Sequence, residues 1–133
     1  RMEAYIGIKH LHLLTVAISV VLFILRFFWK CRNSAMIERR WVKIAPHVND
    51  TLLFVTGIAL VFITRFYPFT PQGTWLTEKL VGVIIYVVLG YVALGKRPRS
   101  QKVRCFAFVA ALVCLYLIIK LAMTKMPLLM GYV

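Results

Sequence analysis

The sequence predicts an all-α membrane protein, an antiparallel bundle of four transmembrane helices that forms one domain over residues 1–133. Three observations support this fold class. Hydrophobic residues make up 62% of the chain, well above the roughly 45–50% of soluble domains. Four apolar stretches each reach about 20 residues, the length that a helix needs to cross a bilayer. The connections between them are short, as in bundles whose neighbouring helices run antiparallel.

Local signals justify each helix in turn. The first apolar run ends where Lys30 and Arg32 begin a basic stretch. Pro46 directly precedes the second apolar run and marks the start of its helix, because proline is well tolerated in the first turn of a helix. The uncharged stretch "FYPFTPQGT" has the prolines and glycine of a turn-rich loop and separates the second helix from the third. Pro98 lies in the loop before the fourth. The predicted helices cover about residues 4–29, 47–66, 75–94 and 103–123.

The charge distribution predicts an orientation in the membrane. The chain has 17 lysines and arginines against four acidic residues, and the basic residues cluster in loops 30–46 and 95–102. The positive-inside rule places these two loops in the cytoplasm, so both termini face the periplasm of a bacterial inner membrane. Nucleic-acid binding is disfavoured because the charges lie between apolar runs and no DNA-reading motif is present.

Polar residues on the first helix recur at a spacing of seven, which returns to nearly the same side of a helix. His12, Ser19 and Arg26 form this stripe, whereas His10 falls on the other side with apolar neighbours. We expect the stripe to face other helices, because ionisable groups within membrane spans avoid lipid. His10 is then an interfacial or packing residue.

The second helix has a stripe of the same spacing, formed by Asp50, Gly57 and Thr64, with His47 one turn before Asp50. Asp50 begins this helix at the same depth at which Arg26 ends the first. A lone charge in the membrane costs about 3 kcal/mol or more, so we predict a structural ion pair between Arg26 and Asp50. His47 supports the start of the helix, pairs with Asp50 or belongs to a second, inner site.

The remaining helices carry small residues on one face, which lets membrane helices approach closely. On the third helix the face consists of Lys79, Gly82, Tyr86, Gly90 and Ala93. On the fourth it consists of Ala107, Ala111, Cys114 and Ile118. We expect these faces to turn inward and the large aliphatic residues to meet lipid.

Depth divides the polar groups into layers. His12 lies about 10 Å in from the periplasmic end of its helix, and Lys79 lies about one turn into the third helix from the same side. Both therefore belong to an outer polar layer. Tyr86 is deeper, and its hydroxyl requires a partner such as a cofactor or Asp50.

Three stretches carry a resemblance to a known family: "KHLHLLTVAISVVLFILRF", "PHVNDTLLFVTGIAL" and "WLTEKLVGVIIYVVLGYVAL". They span three of the four predicted helices. On them the chain resembles the SirB family, which is named for the up-regulation of invasion genes in bacteria. The resemblance implies an inner-membrane protein with a link to gene expression, and it implies no chemical mechanism.

A more distant similarity is chemically richer. The stretches "IKHLHLL" and "WLTEKL" are similar to motifs of the HemJ-type protoporphyrinogen oxidases and the copper-resistance D proteins. The HemJ type carries haem b and uses a histidine of the first helix and a lysine of the third. The matching residues here are His12 and Lys79, so the similarity implies that His12 binds haem or a metal and that Lys79 binds a propionate or a substrate carboxylate.

Three functions stay open from the sequence. The first is an intramembrane site that holds haem b or another redox cofactor at His12, Lys79 and Tyr86. The second is a membrane protein without a cofactor that binds a protein partner or a second copy and acts indirectly on gene expression. The third is a transporter for a small substrate. Enzyme activity is left open. His12 alternatively makes a hydrogen bond between helices or relays protons, and Lys79 alternatively extends to the outer surface or pairs with Glu78.

Overall fold

The computed structural model describes residues 2–64 and 74–124. The part of the chain so described contains four long helices, and each is long and apolar enough to cross a membrane, as predicted. Arg65 and the uncharged second loop lie outside the described residues. The helices are α1 (Met2–Cys31), α2 (Arg40–Thr64), α3 (Thr74–Leu94) and α4 (Gln101–Thr124).

The chain divides into two compact units, Arg1–Arg65 and Phe66–Val133. In the first unit α1 and α2 pack antiparallel, with Trp29 near the end of α1 set edge-on against Trp41 near the start of α2 at 6.0 Å between ring centroids. A short 3-10 helix, Ala35–Glu38, lies in the loop between them. The loop thus closes a tight helical hairpin.

The start of α2 differs from the prediction. The helix begins at Arg40 rather than near His47, so Pro46 lies inside it and not in its first turn. Proline removes one backbone hydrogen bond from a helix interior, but Val42 and Pro46 are buried, and this packing stabilises the turn. The apolar run that marks a membrane span is therefore shorter than the helix, which continues into the basic region.

The second unit is built on the small-residue faces that the sequence predicts. Ile118 of α4 lies so close to Gly82 of α3 that an added Cβ would be 3.0 Å from its Cγ1. The Cys114 thiol donates a hydrogen bond of 3.1 Å to the Gly82 carbonyl. Three alanines of the predicted faces are buried between the helices: Ala93, Ala107 and Ala111.

Arg104 fastens the loop between α3 and α4. Its guanidinium donates hydrogen bonds to the carbonyl oxygens of Ala93 and Gly95, both at 3.0 Å, and of Arg97 at 2.6 Å. Ala93 and Gly95 lie at the C-terminal end of α3, where helices leave acceptors without a partner inside the helix and where cations are favoured, and Arg97 lies in the loop that follows. The side chain is buried, so the basic loop is held by one of its own charges.

Candidate functional site

The best-defined polar contact in the first unit joins His12 of α1 to Thr56 of α2. The His12 Nδ1 atom lies 2.9 Å from the Thr56 hydroxyl oxygen. Both side chains are buried, with 9% and 5% of their surface exposed. His12 lies about 15 Å along α1 from its first residue, so the bond is well inside the span.

The hydrogen bonds of Thr56 fix the direction of this contact. The Thr56 hydroxyl donates its single proton to the α2 backbone, at 2.8 Å from the Leu52 carbonyl and 3.0 Å from the Leu53 carbonyl. With that proton on the backbone the oxygen accepts from His12, and we assign the ring proton to Nδ1; the opposite tautomer would require the hydroxyl to donate to Nδ1 instead. In a neutral imidazole, Nε2 is consequently the nitrogen with the lone pair.

Gly57 provides the space for the imidazole. A Cβ at this position would lie 3.3 Å from the His12 Cε1 atom, closer than an ordinary van der Waals contact. The absence of a side chain therefore lets α2 approach the ring closely enough for the neighbouring Thr56 to bond it. The predicted small-residue position on α2 is thus confirmed as a contact position.

A second interhelical bond lies one turn away. The Asn49 amide donates to the Thr15 backbone carbonyl at 2.8 Å, and the Thr15 hydroxyl donates to the His12 carbonyl at 2.6 Å. Asn49 and Thr15 are both buried. We call His12, Thr15, Asn49 and Thr56 the polar clamp, because together they hold α1 and α2 in one register.

The inner-layer residues of the prediction occupy a neighbouring face of α2. Asp50 and His47 are both exposed, whereas Asn49 is buried against α1. Arg26 and His47 each lie within electrostatic reach of the Asp50 carboxylate. The direct ion pair between Arg26 and Asp50 stays a prediction.

The other predicted site residues lie as follows. His10 is exposed on α1, as expected for a residue off the polar stripe. Lys79 and Tyr86 belong to the second unit and are partly buried there. Their participation with His12 in one site stays a prediction.

The donor set separates two kinds of metal chemistry. Across residues 2–64 and 74–124, no three His, Cys, Asp or Glu side chains are grouped as ligands for an ion, so a bare-ion site on His12 finds no support there. Haem brings its own nitrogen donors and requires axial ligands only. The Nδ1–H bond to Thr56 fits an axial histidine, because ligating histidines commonly donate their other N–H to a neighbour. The burial of the ring fits a structural role.

Sequence reasoning missed two members of the clamp, Asn49 and Thr56. Both stand directly before residues of the predicted stripe, Asp50 and Gly57, and they are themselves seven apart. The same spacing therefore signals two adjacent faces. Arg104 was also missed as a buried group, because it follows the basic loop 95–102 closely and its charge alone gives no sign of burial.

Comparisons with known proteins agree on one family. A family model described as "Invasion gene expression up-regulator, SirB" matches residues 5–127. Protein SirB2 of Salmonella typhimurium is 56% identical over 120 residues, which cover 90% of this chain and 93% of that protein. Protein YchQ of Escherichia coli is 49% identical over 129 residues, covering 96% and 99%. No solved structure matches the chain.

Proposed function

The chain belongs to the SirB family, and we propose that it acts in a bacterial inner membrane as an indirect promoter of gene expression, through a protein partner and without a cofactor. The description of the family as an invasion gene expression up-regulator supports the biological outcome. The polar clamp gives His12 a structural role, since it joins two helices, and this role requires no cofactor.

The indirect route is supported by how little of the described chain lies outside the helices. The connections 32–39 and 95–100 are the loops within residues 2–64 and 74–124. Neither has the length of a helix-turn-helix or another module that reads DNA bases. A partner with access to the transcription machinery must then carry the signal, and the two basic loops are the surfaces we assign to it.

The orientation is part of the proposal and has its own test. Cys31 is exposed at the start of the first loop. In a protein with Cys105 and Cys114 replaced by serine, a membrane-impermeant maleimide should label Cys31 only after the inner membrane is permeabilised. Labelling of intact spheroplasts would place this loop, and the proposed partner surface, in the periplasm.

The regulatory role is tested by deletion and complementation. Loss of the gene should lower the mRNA of invasion-type genes, and the wild-type gene should restore it. Ala35 is exposed in the 3-10 helix of the first loop, and Val113 is exposed in the middle of α4. We expect Ala35→Trp to fail in complementation and Val113→Trp, the matched control, to succeed. Unchanged mRNA in the deletion strain would contradict the proposal.

A second candidate function is a haem b site at His12, and one observation favours it. The bond from Nδ1–H to Thr56 orients the ring and places the lone pair on Nε2, the atom that an axial ligand needs. Haem b would supply one-electron redox chemistry. In this alternative Lys79 binds a propionate, as the similarity to HemJ-type proteins implies, and Tyr86 stays a predicted cofactor contact because its hydroxyl requires a partner.

An absorbance spectrum separates the two candidates. Protein purified from haem-replete cells shows a Soret band under the second candidate and none under the first. His12→Ala should then abolish the band. His10→Ala, two residues away and exposed, is the matched control and should retain it. A band that survives His12→Ala would exclude His12 as the ligand.

A further inference from the structure

A shallow, open groove runs along the N-terminal half of α2, with a volume of about 740 Å³. We call it the α2 groove. Its apolar wall consists of residues that recur every three or four positions and so share one face of the helix, and each of them is between 44% and 56% exposed. Two arginines lie at its loop end. The groove is lined by Arg39, Arg40, Trp41, Ile44, Ala45, Val48, Asn49 and Leu52, of which Asn49 belongs to the polar clamp.

The loop end of the groove is positively charged. Arg39 and Arg40 are both exposed. The next cation, Lys43, is neutralised by Glu38 at 2.9 Å, whereas neither arginine has an ion pair with any described residue. Both arginines therefore offer their charge to the same end of the groove.

The dimensions of the groove match one leaflet. From Arg40 to Leu52 the helix rises about 18 Å, and half of the hydrocarbon core measures about 15 Å. A molecule with its charged group at the arginines would therefore lie beside Trp41, at the depth that interfacial tryptophans favour, and its chain would reach Leu52.

We propose that the α2 groove binds an anionic phospholipid, with its phosphate on Arg39 and Arg40 and one acyl chain along Trp41, Ile44 and Val48. Guanidinium groups bind phosphate oxygens through charge-assisted, often paired hydrogen bonds, and basic pockets on the cytoplasmic side of membrane helices bind such headgroups. Charge complementarity favours this occupant over a second copy of the chain, which would bring further cations. The site takes its cytoplasmic side from the orientation proposed above and shares Arg39 with the first basic loop, but lipid binding in nanodiscs is measured without any regulatory readout.

Trp41 is a reporter within the groove. The protein with Trp29→Phe and Trp75→Phe keeps Trp41 as its single tryptophan and is reconstituted in phosphatidylcholine nanodiscs. Phosphatidylglycerol or phosphatidylcholine with brominated acyl chains is added at equal mole fraction. We expect stronger quenching by the anionic probe. Arg39→Gln with Arg40→Gln should abolish this preference, a loss of up to about 30-fold in relative affinity for two arginines at the headgroup level.

The matched control removes the same amount of charge from the other basic loop. Lys96 and Arg97 are both exposed, and Lys96→Gln with Arg97→Gln should leave the preference unchanged. Equal quenching by the two probes in the unsubstituted groove would overturn the proposal, since the groove would then not distinguish headgroups. Absence of quenching by either probe would overturn it in favour of a protein occupant, and an equal loss in the control would show a general charge effect instead of a site.

Discussion

Replacing Thr56 by valine tests the polar clamp directly. Valine keeps the shape of the side chain and removes the hydroxyl that accepts the His12 Nδ1–H bond at 2.9 Å. Because both residues are buried, no water replaces the lost acceptor. The structure therefore predicts that the substitution leaves a buried ring N–H unsatisfied.

The expected magnitude follows from that geometry. An unsatisfied buried donor costs about 1–3 kcal/mol, and interhelical hydrogen bonds within membranes are worth about 0.6 kcal/mol on average and up to about 2. We expect Thr56→Val to lower the free energy of unfolding by about 1–2 kcal/mol, a change of about 5- to 30-fold in the unfolding equilibrium. Thr56→Ser keeps the hydroxyl and should cost less.

The assay is equilibrium unfolding in mixed micelles, carried out as a double-mutant cycle with His12→Leu. If the two side chains bond to each other, the double variant loses less than the sum of the single losses. A coupling energy within about 0.3–0.5 kcal/mol of zero, the range of independent sites, would refute the reasoning. Nitrogen-15 spectra of the His12 ring should show protonation at Nδ1, and protonation at Nε2 alone would refute the assigned direction.

Two further predictions concern the second unit. Arg104→Gln should lower the free energy of unfolding by about 2–3 kcal/mol, because charged hydrogen bonds to backbone carbonyls are lost from a buried site. The loosened α3–α4 loop should then be cleaved faster by a protease. Lys102→Gln, at an exposed position, is the control and should leave the cleavage rate unchanged. Gly82→Val should lower the free energy of unfolding by about 1–3 kcal/mol. A Cβ at this position would already lie 3.0 Å from the Ile118 Cγ1 atom, and valine adds two further methyl groups. Gly7→Val, which meets no atom within 4 Å, is the control in the same unfolding assay, and equal losses for the two valines would contradict the packing argument.

The sequence predicted the helices because each requires about 20 apolar residues to cross a bilayer. Four such runs can be counted without knowledge of any contact. It also predicted the packing faces of α3 and α4, since Gly82, Ala107 and Ala111 leave few other positions for a close approach. The start of α2 was not predictable in this way, because a helix can extend beyond the apolar run into charged residues such as Arg40.

The register of the candidate site was harder to predict. On α2, Asn49 with Thr56 and Asp50 with Gly57 form two adjacent polar rows of the same spacing. The charge of Asp50 favoured its row, but a neutral amide and a hydroxyl can each complete hydrogen bonds between helices at lower desolvation cost. Periodicity gives the angle of a residue around a helix to within about one position, and that error is enough to exchange these two rows.

Arg104 has a consequence for how topology is inferred from charge. The positive-inside rule counts every arginine at a membrane boundary as an equal topology determinant. The Arg104 guanidinium, however, contacts the end of the preceding helix and is buried there. Lysine at this position would keep the positive charge but would offer one compact ammonium group in place of the planar guanidinium with its several donors. The two sequences would therefore insert with the same orientation, and they would differ only in how well the folded protein holds the loop between α3 and α4.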